Sequence, residues 1–567
     1  MAGQDAQTFE ERADQIDDHA LLNETVAEDH FDTVHRALVS KGLVLIEGPR
    51  GSGKTHLMRF TAVRCRQENK LPLALYVSFN RYLRLEPLLR KKSDALVTFQ
   101  AWILANILIE ASAVDEQLRH PSSDSFLEEV FGFTADSLQR LVDSLERQLM
   151  PDEEEEDLIR FLSIDKVKDF LLALCDRHKR KRVVVLLDDA ALTLTPEYLV
   201  ELFDVVRVLK HSRIAPKASV YPGSTEYGPR FHADHEGRTV SAWLPVDTEN
   251  YEQTMREIAS KRFSSVQLPR ADINELFMFA SFGIPRAYLN MLRAYRDASG
   301  SEQQRVNTII QEHHKLRLQE FRSIAQKVPK LGILVKTGEH FFSRCIEAIR
   351  QANHGMDRDE KQLVLGIETS GLTPMINRMI NLLIEAGLLY EYKSEVSHGG
   401  ADRTYRRFTP HISSLIASRS LGSPSRGSSS KHSLEVLKLR QTKHPVRRKI
   451  DTILDDSEIH EIRFDLPACD NCQTRRLSDS QLFCHACGER LVTASTYETC
   501  MKTPISHVPG LTGWQIESLA TEAINVVGDF VAIQDSGTKL RQIWQFGPKR
   551  SVAVAEKIHT YVDEFMS

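Results

Sequence analysis

At 567 residues the chain is too long for one hydrophobic core and is expected to divide into about three or four domains. A formal charge of only -5 compels neither a nucleic-acid nor a membrane partner, so any electrostatic footprint is local. No run of about 18 apolar residues marks a membrane span, and the polar N-terminus lacks the apolar core of an export signal, which points to a cytoplasmic protein.

After the polar segment 1–20, residues 21–250 alternate helical spacing with short apolar runs: Leu43-Val44-Leu45-Ile46, Leu73-Ala74-Leu75-Tyr76-Val77, Val183-Val184-Val185-Leu186-Leu187 and Ala218-Ser219-Val220-Tyr221. Runs this short and apolar predict buried parallel strands of an α/β sheet. Between the second and third, residues 85–178 keep helical spacing, as at Phe99, Trp102, Ile103, Ile107 and Leu108, for longer than one crossover needs, and predict a helical insertion. The acidic run Asp152 to Asp157 inside it reads as a solvated loop or a helix start.

The first apolar run feeds Gly48-Pro49-Arg50-Gly51-Ser52-Gly53-Lys54-Thr55, a match to GxxxxGK(S/T), and a helix opens there and continues through His56. Glycines let the backbone wrap a phosphate, and amides and the helix N-terminus favour its charge. Lys54 reaches the β- and γ-phosphates and the Thr55 hydroxyl faces Mg2+, so residues 48–56 form the candidate ATP cradle. A P-loop also needs a carboxylate for magnesium. Asp188, at the end of the third run, is the candidate, and Asp189 either polarises the attacking water or merely orients water or caps a turn.

The fourth run leads into Pro222 to Gly228, whose polar residues would lie beside the γ-phosphate if that strand neighbours the third. Ser224 or Thr225 either reports nucleotide state or simply makes the turn. Residues 251–325 read as a helical lid, broken at Gly283-Ile284-Pro285-Arg286, where Arg286 starts a helix and either reaches a phosphate or lies on the surface. In 326–417 a helix from Thr373 to Ala386 ends at Gly387, and β-like runs Leu388 to Val396 and Arg403 to Phe408 flank His398-Gly399-Gly400, as in a winged helix. Its cations Arg378, Arg403, Arg406 and Arg407 suit either DNA contact or a solvated packing edge.

Taken together, the P-loop, the Asp188-Asp189 strand end, the polar tip at Ser224, the G-x-P-R at 283–286 and the winged-helix pattern resemble AAA+ ATPases of the origin-recognition (ORC/CDC6-like) type and their bacterial relatives, over roughly residues 20–417. The resemblance implies that Lys54 is the phosphate lysine, Asp188 the Walker B acid, Ser224 or Thr225 sensor 1 and Arg286 the sensor 2 arginine. The chain departs from that pattern in Asp189, where the family usually has Glu, so slow turnover is expected. It also departs in the long insertion and in the lack of a clear arginine finger, for which Arg230 is a guess.

Residues 418–433, rich in Ser, Gly and Arg, read as a flexible linker. Beyond it, 434–504 holds a basic stretch (Lys438, Arg440, Lys443, Arg447, Arg448, Lys449) and a zinc ribbon. Of eight cysteines, four are scattered, while Cys469, Cys472, Cys484 and Cys487 form CxxC-x11-CxxC, the spacing of a closed structural Zn2+ site. Such a ribbon either staples a small domain, binds protein or contacts nucleic acid. Residues 505–567 resemble a tandem helix-hairpin-helix module, with turns at Ile524 to Asp529 and Gln545 to Arg550. In that family hairpin amides and cations such as Lys549 and Arg550 grip a phosphate backbone. Each hairpin lacks one of the usual two glycines, which leaves protein interaction as the other role.

The sequence thus predicts a multidomain α/β P-loop NTPase of AAA+ type with a winged helix, a zinc ribbon and an all-α helix-hairpin-helix tail. Its expected cofactors are ATP, Mg2+ and Zn2+. Its expected role is an ATP-hydrolysing conformational switch on nucleic acid, DNA favoured, with a protein partner or effector subunit and room for a homo-oligomer. Analogy with the family, were the source bacterial, suggests phage defence or mobile-element control. The competing reading is a signalling scaffold of the STAND type that recruits proteins through its zinc ribbon and helical tail.

Overall fold

In a computed structural model of the chain, residues 16–566 are described apart from 27–28, 80–84, 92–93, 120–124, 190–195, 226, 229, 264–267, 398–402, 423–428, 440–445, 464–465, 467, 470, 477–480, 482, 490, 492–495, 534–535 and 544–545. The expected hairpin tip His398-Gly399-Gly400, the cations Arg440 and Lys443, Gln545, most of the N-terminal segment and the middle of the expected linker therefore lie outside the described residues.

Strands β1 (Leu43–Glu47), β2 (Leu73–Ser78), β3 (Val183–Asp188), β4 (Ile214–Val220) and β5 (Gly237–Ser241) form one parallel sheet in the order β2-β3-β4-β1-β5. The strand period of two splits the apolar runs between two cores. Val184 and Leu186 face one side with Leu57, Met58 and Ala62 of the P-loop helix Lys54–Gln67, while Val183, Val185 and Leu187 face the other with Phe99, Trp102 and Phe170 of the insertion. β5 carries no apolar run to announce it. It is a half-exposed edge strand of sequence GRTVS, held by its ladder to β1.

The segment between β2 and β3 is helical, including Ala95–Leu118, Ala135–Glu146, Glu153–Phe161 and Ile164–Arg177. The acidic run starts a helix: Asp152 caps Glu153–Phe161 in a capping box with Glu155. Among the described residues one helix, Ala95–Leu118, is long and apolar enough to cross a membrane. It packs against β2 and the helix Ala135–Glu146, with Trp102, Ile103, Leu104, Ile107 and Leu108 buried, and serves as a core helix.

Four helices follow β5: Tyr251–Arg262, Ala271–Ala280, Pro285–Asp297 and Glu302–Lys327. A second sheet is built from β6 (Leu365–Glu368), β7 (Leu389–Ser397), β8 (Thr404–Pro410) and β9 (Val446–Arg448) in the order β7-β8-β6-β9, beside the helices Gly332–Asn353 and Pro374–Glu385. The latter starts on the Thr373 N-cap and stops before Gly387 at φ +72°. Here the structure departs from the expected boundary at 418–433. The helix Ser430–Lys438 buries Leu434, Val436 and Leu437 and packs on Ala271–Ala280, and β9 adds to β6 in parallel. The basic stretch up to Arg448 thus completes the sheet of the preceding lobe. Serine-rich composition conceals this, because the apolar anchors are few and lie beyond the run that looks like a linker.

Candidate nucleotide and zinc sites

The parallel sheet places β1 and β3 on either side of β4, so the P-loop after β1, the acids after β3 and the polar tip after β4 converge at one edge. This is the arrangement that the sequence left conditional on β4 neighbouring β3. Gly51 sits at φ +85°, and a Cβ there would come within 3.1 Å of Arg286 Cβ, so only glycine lets the P-loop bend against the helix Pro285–Asp297. The Arg286 amide lies 3.4 Å from the Gly51 carbonyl, which seats this half-buried residue beside the loop.

Lys54, the first residue of the P-loop helix, is buried; its ammonium donates to the Gly48 carbonyl at 2.6 Å and lies 4.1 Å from the Tyr221 ring centre. Burial lowers its pKa to about 8, opposed by the charges of Asp189, Asp188 and Glu385. Asp188 is fully buried. One carboxylate oxygen accepts from the Tyr76 hydroxyl at 2.9 Å, and Oδ1 has no hydrogen-bond partner among the described residues. A buried carboxylate oxygen left unpaired is costly unless a cation or donor meets it, so this oxygen suits a hard divalent ion. Asp189 adopts φ +54°, unusual for a residue with a side chain, and its amide donates to Ser219 Oγ at 2.8 Å.

The two sensor candidates separate. Thr225 Oγ1 accepts from the Tyr221 amide at 2.9 Å and closes the turn. Ser224 instead meets the second lobe, its amide and hydroxyl donating to Glu385 at 2.8 and 2.9 Å, and the Gly223 amide adds a third bond at 3.0 Å. His56 is turned toward Thr25, with Nε2 2.7 Å from its hydroxyl, and burial lowers its pKa to about 3. Arg230 is exposed and pairs with Asp204 at 3.2 Å. Tyr76, Tyr221 and Glu385 were not singled out from the sequence. The tyrosines look like ordinary strand residues, and Glu385 ends an amphipathic helix with no motif around it.

In the winged-helix candidate, Arg406 is only 17% exposed and holds Glu391 through Nε and its second guanidinium nitrogen at 2.6 and 2.7 Å, while Arg407 bonds Ser394. Arg403 is exposed and Arg378 half-buried. Of these four cations, Arg406 is held in an ion pair within the fold, with Glu391.

The four cysteines meet in two matching knuckles. Gln473 donates its amide to the Cys469 carbonyl and Gly488 to the Cys484 carbonyl, with φ of +57° and +73°. The sulfurs all lie within 4.8 Å of one another, with Cys469 to Cys487 at 3.6 Å and Cys472 to Cys484 at 3.5 Å. A tetrahedral ion at about 2.3 Å from each sulfur needs edges of about 3.8 Å, so the set fits Zn2+.

The tail holds the helices Thr496–Met501, Gly513–Thr521, Val527–Val531, Ser536–Arg541 and Pro548–Met566, with Leu519, Phe530, Leu540 and Val554 buried; Val527–Val531 packs on Thr496–Met501, and Ser536–Arg541 on Pro548–Met566. Ala523 occupies a left-handed position at φ +62° in the first turn, where glycine would be unstrained. Lys549 is exposed at the start of the last helix, and the Arg550 guanidinium lies over Trp514 at 5.1 Å.

Among known proteins, a family model described as ORC-CDC6-like matches residues 9–361. No curated protein matches the chain. Two solved structures align at low identity. A Walker-type ATPase of Pyrococcus abyssi is 12% identical over 73% of this chain and 95% of its own, with a TM-score of 0.36. The Orc1 protein of Aeropyrum pernix, solved in complex with DNA, is 14% identical over 71% and 95%, with a TM-score of 0.29.

Proposed function

Because the chain belongs to the ORC-CDC6-like family, we propose that it is an ATP-binding, slowly ATP-hydrolysing switch that acts on DNA. The observation that carries this reading is the buried Oδ1 of Asp188, without a hydrogen-bond partner among the described residues and two strands across from the P-loop that holds Lys54. Lys54 would leave the Gly48 carbonyl for the phosphates, and Gly51 and Gly53 would present amides to them. Asp188 and Thr55 would hold Mg2+, which neutralises charge on the phosphate oxygens. Asp189 would orient the attacking water, its shorter side chain favouring slow turnover, and Arg286 would reach the phosphates from the lid.

DNA contact is assigned to the helix-hairpin-helix tail, through Lys549 and the helix start at Pro548, rather than to the wing, where Arg406 and Arg407 are engaged within the fold. Zn2+ on the four cysteines would staple the segment between lobe and tail. That internal pairing of the wing cations also favours the second reading, a STAND-type scaffold with protein partners. A role in phage defence or mobile-element control, and any homo-oligomer, rest on family analogy alone.

ATP hydrolysis by the full chain with and without double-stranded DNA, beside Lys54→Ala and a Lys549→Glu/Arg550→Glu double variant, tests the proposal. DNA stimulation lost in both variants supports the switch. Turnover indifferent to DNA and to the tail variant moves the function to the scaffold reading. Point variants keep β9 in the second sheet, which a truncation after residue 420 would remove.

A further inference from the structure

The tip of β4 is an anion cradle already filled from within. The amides of Gly223 and Ser224 and the Ser224 hydroxyl all donate to the carboxylate of Glu385, at 3.0, 2.8 and 2.9 Å. Glu385 ends the Pro374–Glu385 helix, and the Lys54 ammonium lies 4.1 Å from the ring centre of Tyr221, the residue that leads into the same turn. The contact has no slack. A Cβ on Gly223 would stand 2.6 Å from the backbone nitrogen of Leu382, and one on Gly387 would stand 3.2 Å from Pro49 of the P-loop.

We propose that Glu385 makes this site tell nucleoside triphosphate from diphosphate: its carboxylate occupies the cradle, and a γ-phosphate competes for the same donors and lifts Glu385, with its helix, off the β4 tip.

The inference rests on the ATP reading above. Like charges within about 4 to 6 Å disfavour each other, and three donors cannot serve two anions at once. Burial already holds the Glu385 carboxyl above the ordinary carboxylate range, so its seat depends on those donors and on Lys54. A terminal phosphate that draws Lys54 to itself removes part of that support, whereas a diphosphate lacks that phosphate. The three bonds to Glu385 and the close approach of Leu382 to Gly223 hold the helix on the β4 tip together, so loss of the bonds loosens the helix there.

The test uses the full-length protein with Mg2+, a fluorescent ATPγS analogue and the matching ADP analogue. The variant Glu385→Gln removes the competing charge and keeps the shape. It is expected to bind the ATPγS analogue about fivefold to tenfold more tightly than wild type, with ADP affinity unchanged within about twofold. In wild type, hydrogen exchange of residues 374–385 is expected to speed up with ATPγS and not with ADP. A Glu385→Gln effect equal on both nucleotides, or exchange at 374–385 that is indifferent to ATPγS, overturns the proposal and leaves Glu385 a structural clasp. Should Glu385→Gln misfold, wild-type exchange and Ser224→Ala, which removes one donor and is expected to loosen the same helix without nucleotide, decide it. Absence of any nucleotide binding by wild type overturns the ATP reading and this inference together, while binding without discrimination overturns only this one.

Discussion

The Lys54 ammonium and the Tyr221 ring form a buried cation–π pair at 4.1 Å, on the floor of the cradle that the P-loop builds. Tyr221 follows β4 directly, so the pair ties the phosphate lysine to the strand whose tip carries Ser224. An aromatic face offers a desolvated cation partial compensation, to which the Gly48 carbonyl and the charges of Asp189, Asp188 and Glu385 add.

Burial sets the pH behaviour of this lysine. Its pKa is about 8 in the fold against 10.5 as the ordinary value. Below about pH 8 it is charged in the folded and unfolded chains alike. Between about 8 and 10.5 the unfolded chain binds more protons, so this residue makes stability rise with pH across that window. Phosphate needs the ammonium, so ATP affinity is expected to fall above about pH 8 and binding at about pH 9 to take up a proton. Calorimetry in buffers of different ionisation enthalpy reads that uptake directly. Lys54→Arg, which stays charged, is expected to show none.

Asp188 has one oxygen on Tyr76 and one without a hydrogen-bond partner among the described residues. Tyr76→Phe leaves both oxygens without a donor and is expected to cost about 1 to 3 kcal/mol in denaturant unfolding, with the loss reduced by added Mg2+. Asp188→Asn is expected to lower ATP hydrolysis on the order of 100-fold and to abolish its response to Mg2+ titration. Unchanged magnesium dependence would remove Asp188 from the metal site.

The cysteine cluster should hold one Zn2+ per chain, since its four sulfurs form a single group within 4.8 Å. Cys472→Ser and Cys487→Ser are each expected to purify with less than about half the metal, because a tetrahedral thiolate site loses a ligand. The P-loop body is expected to melt at an unchanged temperature, as the backbone bonds of Cys469 to Thr474 and of Cys484 to Glu489 close each knuckle on itself. Metal release followed with a chromophoric chelator, beside a thermal melt, checks both.

Gly223→Ala forces its Cβ to within 2.6 Å of the Leu382 nitrogen and 2.7 Å of its Cα, backbone that cannot swing aside. The expected loss is about 1 to 3 kcal/mol by thermal or urea unfolding, through separation of the two lobes. An unaltered stability would mean that the lobes part easily at this seam.

The P-loop, the buried strand ending in Asp188 and the paired CxxC motifs are legible in the chain because each is a short-range pattern. Their spacing alone places backbone amides, a carboxylate or four thiolates within reach of one ligand. The parallel α/β class follows from the same local logic, as alternate residues such as Val184 and Val185 must find apolar cover on opposite faces. Only the tertiary structure decided that β9 joins β6, that Arg406 is neutralised by Glu391, and that Ser224 meets Glu385 across 161 residues of chain. Those pairings leave no periodic trace, because a carboxylate at a helix end looks the same in sequence whether it faces water or another lobe. Its partner is chosen by the path of the backbone between them and by the close approach that Gly223 permits.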